Sequence, residues 1–169
     1  MTPITWNAAA FFKQLTETNK LAVENHFRFC EISSLKGLEN VVKSMQNTTA
    51  WVCCCDNDAG SVVMNDNTPH TTLSKMVVMA MRYNSDDMAA RANCINKMAT
   101  IFRQFCSALL TKEMDILDED TKFNHDIELH VIPNIITPGV AAMYFVIGTN
   151  TMHDLCYDHD EWITPNAND

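Results

Sequence analysis

Glycine is scarce in this sequence, and no two glycines stand close together. The four glycines are Gly37, Gly60, Gly139 and Gly148. A phosphate-binding loop needs closely spaced glycines, because its backbone N–H groups must approach and cradle the phosphate. The spacing therefore excludes the common glycine-rich nucleotide-binding loops.

Basic residues are also sparse and never form a run. Twelve Lys and Arg against 21 Asp and Glu give a formal net charge of −9, with acids gathered toward the C-terminal half. Proteins that grip nucleic acid by its phosphates need clustered Lys and Arg. The charge argues against tight DNA binding, although an acidic wall would let DNA slide past without sticking.

Long apolar runs and paired cysteine motifs are missing as well. No stretch approaches the ~18 apolar residues of a membrane span, and the N-terminus lacks the basic and apolar regions of a signal peptide. The seven cysteines are odd in number and form no Cys-x-x-Cys motif. We therefore expect no membrane partner, and reduced thiols, mostly buried, in a protein made in a cytoplasm.

Length and composition are typical of one globular domain. The chain has 169 residues, of which 47% are hydrophobic and 20% charged, and it shows no internal repeat. We predict a single α+β domain over residues 1–163, with a loose C-terminal tail over residues 164–169. The predicted architecture is an antiparallel sheet packed by one long amphipathic helix, with a shorter N-terminal helical segment.

The long helix is the clearest local signal and is predicted over residues 85–112. Asn84 or Ser85 is expected to cap it, and Lys112 to lie in its last turn. Apolar residues recur at three- and four-residue steps. This predicted face consists of Met88, Ala92, Ile95, Met98, Phe102, Phe105, Leu109 and Leu110.

Two further helices are predicted nearer the N-terminus. Asn7 is expected to cap a helix over residues 7–23, and Ser33 or Ser34 a short helix with Leu38 and Val42 on its apolar face. Between them, residues 26–32 alternate loosely and predict a short strand.

Strands are predicted from alternation and turn residues. Residues 50–55 form a strand, residues 56–60 a turn and residues 61–64 the returning partner, followed by strands over 71–83 and 126–132. Residues 140–148 are apolar on both faces, so this strand must be covered on both. The long helix can cover one face, and the N-terminal helix or a neighbouring subunit the other.

Partner contacts are therefore predicted around this strand, with Val140, Tyr144 and Val146 as interface candidates. Ile135 and Ile136 lie between two prolines in a long connection, with little chance of internal burial. Exposed apolar loop residues favour contact with another chain, although folding back onto the domain is nearly as favourable.

Three groups of residues have side chains that could bind a metal ion, but a structural role is favoured for each group. His153, Cys156 and His159 are types that bind zinc, but their spacing matches no common site. Asp56-x-Asp58-x-Gly60 resembles the start of a calcium loop but has the wrong later positions, so a turn is favoured. Cys53 and Cys55 point to the face opposite Cys54 in a strand, so the three thiols cannot converge on one ion and are expected in the core.

The order of elements resembles a known family. Helix, hairpin, long strand, long helix and hairpin follow one another, with an Arg82-Tyr-Asn turn before the long helix and a Leu-Cys-Tyr-Asp ending and Trp162 after the last strand. Over residues 20–163 this is similar to the small neck or tail-completion proteins of tailed bacteriophages, particularly those of the Bacteroides group. Such proteins are similar in fold to tail terminators, which form rings between portal and tail tube.

The resemblance implies a virion structural protein with no catalytic residues and no cofactor. It would assemble with itself into a ring, contact portal, neck or tail proteins, and let DNA pass; Trp162 joins the interface candidates. We expect it in the host cytoplasm during assembly and then in the virion. Two alternatives stay open: a small metal-dependent enzyme using His153, Cys156 and His159, or a cytoplasmic adaptor docking through Ile135 and Ile136.

Overall fold

The chain folds into helices on both faces of one six-stranded sheet. The computed structural model describes residues 6–64, 69–117, 121–133 and 138–152. In chain order the elements are α1 (Ala8–Thr18), α2 (Lys20–Glu24), β1 (Phe27–Ile32), α3 (Leu35–Ser44), β2 (Ala50–Val63), β3 (His70–Arg82), α4 (Met88–Ile116), β4 (Thr121–Phe123), β5 (Leu129–Ile132) and β6 (Val140–Thr151). The predicted α+β class, with a long helix and a shorter N-terminal one, is confirmed.

The strands are ordered β1-β2-β3-β6-β4, and β5 also pairs with β6. The β1–β2 pair is parallel, and the others are antiparallel. β4 pairs with Thr149–Thr151 and β5 with Ala142–Phe145, so the two short strands share one edge of β6. β4 was not predicted from the sequence, and β5 is shorter than the predicted strand over 126–132.

The two faces of the sheet carry different helices. The inner face packs against α1, α2 and α4, where the ring of Phe12 lies 5.9 Å from Phe105 and 5.7 Å from Phe145. The outer face packs against α3 through Leu38 and Val42, both fully buried. The N-terminal helix thus lies on the same face as the long helix, and α3 provides the cover that the sequence did not assign.

The long helix begins and ends later than predicted. Asp87 is its cap, accepting a hydrogen bond of 2.9 Å from the Ala90 N–H, and the helix continues to Ile116, so Lys112 is not in its last turn. Met88 and Leu110 are 63% and 62% exposed. Successive residues are rotated by ~100° around a helix, so Leu110 points away from the stripe that buries its neighbour. The buried stripe is Cys94, Met98, Ile101, Phe105 and Leu109.

The predicted N-terminal helix is divided in two at Asn19. This residue has extended backbone, ψ 121°, and its side-chain oxygen accepts a hydrogen bond from the Ala22 N–H at the start of α2. Its amide nitrogen donates to Gln104 Oε1 on α4, 2.8 Å away. A capping residue in the middle of the segment therefore ends one helix and begins another.

The predicted turn over residues 56–60 is wrong, because β2 runs unbroken through it. The register shifts between Cys54, opposite Val77, and Asp58, opposite Lys75. Between these two pairs β2 advances by four residues and β3 by only two, so β2 contains a bulge that accommodates its extra residues. The first half of β2 pairs with β1 and β3, not with residues 61–64 as the turn would require.

Candidate interaction surfaces

The outer face of β6 is covered by α3 at its start and is open in the middle of the strand. Val140 and Ala142 are 4% and 2% exposed beside α3, whereas Tyr144 is half-buried and Val146 is 40% exposed. Val140 is therefore a core residue and offers no surface to a partner. The strand needs cover on both faces, as expected, and α3 supplies it only as far as Ala142.

The open middle of this face carries a small aromatic and apolar patch. The imidazole of His130 stacks on the Tyr144 ring, with centroids 4.9 Å apart and planes 22° from parallel. Met76 lies opposite Val146 on the neighbouring strand, and both face outward. We call Met76, His130, Tyr144 and Val146 the outer patch. Rings with a polar atom beside apolar side chains are typical of protein interfaces.

A second surface, uncharged and with exposed apolar side chains, lies where β2, β3 and β6 continue side by side. We call residues 59–63, 70–74 and 146–151 the arm. On its inner face Leu73 packs over Gly60, where an added Cβ would lie 3.2 Å from Leu73 Cδ2. Val62 and Leu73 remain 53% and 41% exposed. The arm was not predicted from the sequence, because the turn expected over residues 56–60 would have ended the strand there. The strand-forming residues around Val62 were the available signal.

A pocket of about 270 Å³ opens between α4 and the β4–β5 segment. It is lined by Phe102, Arg103, Cys106, Leu109, Leu110, Phe123, His125 and Ile127. Next to it, Glu113 accepts hydrogen bonds of 2.9 Å from the Phe123 N–H and from His125 Nε2. These bonds attach the short strand β4 to the long helix, so the polar groups beside the pocket have a structural role.

The consecutive cysteines are core residues, as predicted. Cys53 and Cys55 are buried on the outer face and Cys54 on the inner face, each at most 1% exposed. Cys30 is the partner of Cys53 across the parallel β1–β2 pair. A hydrogen bond with the Cys53 thiol lowers the pKa of Cys30 to about 7, although burial opposes this shift. The same contact, together with burial, raises the pKa of Cys53.

Several residues singled out in the sequence lie outside the described part of the chain. They are Ile135, Ile136, His153, Cys156, His159 and Trp162. Among the residues that the structure describes, no three His, Cys, Asp or Glu side chains are grouped so that they could hold a metal ion. No helix in the same ranges is long and apolar enough to cross a membrane.

The geometry thus brings Tyr144 and Val146 together on one surface and places Val140 in the interior. Comparison with known proteins adds no family assignment: no family model matches the chain, and no curated protein matches it.

Proposed function

We propose that this protein is a structural component of the head–tail neck of a tailed bacteriophage, where it assembles into a ring around the DNA channel. It would contact itself and neighbouring portal, neck or tail proteins, and it would carry out no covalent chemistry. It would assemble in the host cytoplasm and remain in the virion.

The observation that carries this proposal is apolar surface left open on a rigid sheet. The outer patch ends in Val146, 40% exposed, and the arm exposes Val62 and Leu73. These side chains stand on long strands paired along their length, so a partner would meet a preformed surface. A subunit with neighbours on more than one side needs such surfaces.

The net charge of −9 supports the part of the proposal that concerns DNA. A subunit lining a channel must not hold the DNA that passes through it, and an acidic protein repels phosphate. Part of the element order on which the family resemblance rests also supports it, since the long strand β3, the long helix α4 and the β5–β6 hairpin follow in that order. The first hairpin of that order is not formed, because residues 50–63 are the single strand β2.

The native mass of the purified chain tests the proposal. We expect a closed assembly at a multiple of the 19.1 kDa subunit, ring-shaped with a central opening in negative-stain electron microscopy. Duplex DNA should show no retardation with the assembly at physiological salt. A chain that stays monomeric at high concentration, and is missing from purified virions, would refute the proposal. Capture of one stoichiometric partner without self-assembly would favour the adaptor instead.

A further inference from the structure

One edge of the sheet is open where β2 extends past β1. β1 ends at Ile32, whose partner is Cys55, whereas β2 continues through residues 58–63. Within the described residues, this segment pairs with β3 on one side and with nothing on the other. We call residues 58–63 the β2 edge. Its outward backbone N–H and C=O groups form a row that another strand can pair with.

Among the residues that the structure describes, none of the features that usually prevent such pairing lies along the β2 edge beyond Asp58. Proteins protect edge strands with Lys, Pro, bulges or a covering loop. Residues 59–63 read Ala-Gly-Ser-Val-Val, and the bulge lies before Asp58, at the base of the segment. Gly60, Ser61 and Val62 are exposed. An unprotected edge of this length favours addition of a strand from another chain.

The distribution of charge around the β2 edge indicates which chain would supply the added strand. The arm contains no Asp, Glu, Lys or Arg, in a protein of which 20% is charged and whose net charge is −9. Two copies of an acidic protein repel one another, and this repulsion is least where the contact surface itself is uncharged. A basic partner would instead be drawn to the acidic residues elsewhere. The β2 edge is uncharged after Asp58, at residues 59–63, and this part therefore suits a second copy of this chain.

A ring requires two different surfaces on each subunit, because a closed ring larger than a dimer forms through head-to-tail contacts. The opposite edge of the sheet consists of β4 and β5. β4 carries Lys122 at its centre, whereas β5 is Leu-His-Val-Ile, uncharged, with Val131 46% exposed. In the described chain β5 pairs only with β6, so its other side is open too.

We infer that the β2 edge of one subunit pairs with β5 of the next, so that the sheets of neighbouring subunits form one continuous layer. This inference rests on the proposed ring and identifies its contact. Backbone hydrogen bonds would join the two strands, and Val62 and Val131 would lie beside the junction. Met76, Tyr144 and Val146 of the outer patch would then remain free for a different neighbour, whereas His130 lies on the paired strand β5.

Three matched variants test the contact. Val62→Lys and Val131→Lys each place a charge beside one of the paired edges, and Val23→Lys makes the same change on α2, where the valine is 52% exposed against 53% for Val62. We expect the first two to raise the dissociation constant of the assembly at least about tenfold and the control to leave it within about twofold. Native mass spectrometry gives the assembly state, and circular dichroism verifies that each variant is folded.

Mixing the two edge variants distinguishes a head-to-tail contact from a two-fold one. Val62→Lys retains an intact β5, and Val131→Lys retains an intact β2 edge. In an equimolar mixture these two unaltered strands can pair with each other, whereas the two substituted strands cannot. The mixture should therefore form heterodimers and no larger assembly. If Val131→Lys by itself assembles like the unaltered chain, the proposed pairing with β5 is wrong. If both edge variants assemble normally, the inference fails and the ring stands. If the unaltered chain is monomeric, the ring itself fails.

Discussion

The guanidinium of Arg82 lies over the indole ring of Trp51, with Cζ 5.2 Å from the ring centroid. The same group donates hydrogen bonds to the carbonyl oxygens of Val42, at 2.6 Å, and Thr48, at 3.1 Å. One side chain at the end of β3 thus attaches α3 and the segment after it to the outer face of the sheet.

Replacing Arg82 should loosen this attachment. Arg82→Met removes the stacked cation and leaves two partly buried carbonyl oxygens without their donor, which we expect to lower the free energy of unfolding by about 1–3 kcal/mol. Urea unfolding followed by tryptophan fluorescence measures the change. Arg103→Met, on the exposed side of α4, is the control and should change stability by less than about 0.5 kcal/mol. Equal effects in both variants would contradict the assigned role.

Gly139 should tolerate no side chain. Its φ is +79°, and an added Cβ would lie 3.0 Å from the Tyr83 carbonyl oxygen, while its own carbonyl accepts the Tyr83 N–H at 2.8 Å. Gly139→Ala should therefore destabilise the fold by about 1–3 kcal/mol. Gly37→Ala is the matched comparison, because Gly37 is helical and the new Cβ would be 3.4 Å from Ile32 Cβ.

For Gly37→Ala we expect no loss, or a gain of about 0.5–1 kcal/mol from helix propensity. Thermal unfolding of the two variants side by side measures both effects. A stable Gly139→Ala variant would show that the turn before β6 relaxes to accept alanine.

Glu113 should make the free energy of unfolding depend on pH in the acidic range. Burial tends to raise the pKa of this carboxyl, but hydrogen bonds from the Phe123 N–H and the His125 ring outweigh it, so that the pKa lies below its ordinary value. A carboxyl whose pKa is lower in the folded state stabilises the fold above its unfolded pKa, about 4.3, and this contribution disappears as the pH falls through the folded pKa.

Acidification from about pH 6 to about pH 3 should therefore reduce the stability of the unaltered chain more than that of Glu113→Gln. The measurement is the free energy of unfolding across this range. Glu17→Gln, at an exposed position of α1, should retain the full acid dependence. A Glu113→Gln curve parallel to that of the unaltered chain would rule out the role of the carboxylate.

Cys30 should react as a thiolate near neutral pH. Its pKa is lowered to about 7 by the hydrogen bond with Cys53, and the thiolate is the nucleophile. Alkylation of Cys30 by iodoacetamide, followed by peptide mass spectrometry, should rise with pH and reach half its maximal rate near this value. Cys53→Ala should move the midpoint upward toward about 8.5.

Cys106 is the internal control for this reaction, since burial raises the pKa of its thiol and it should react slowly at neutral pH. An unchanged midpoint in Cys53→Ala would show that another group lowers the Cys30 pKa.

The local sequence pattern determined several features of individual helices and strands. The burial of Met98, Phe105 and Leu109 on α4, the alternation that separates Cys54 from Cys53 and Cys55, and a cap of α3 at Ser33 or Ser34 were predicted from short-range spacing, and the structure confirms them, with Ser34 as the cap. Met88, Ala92 and Leu110, predicted on the same face of α4, are exposed. Such features depend on which side chains share a face of a helix or strand, and this follows from the backbone repeat alone.

Tertiary structure alone decided what lies against each face. Because β6 is apolar on both faces, its sequence shows that both faces need to be covered. Only the fold places α3 over Val140 and leaves Val146 exposed. The bulge before Asp58 and the open β2 edge likewise depend on where β1 ends relative to its neighbour. These are contacts between residues distant in sequence, and the periodicity of one segment carries no information about the segment that packs on it.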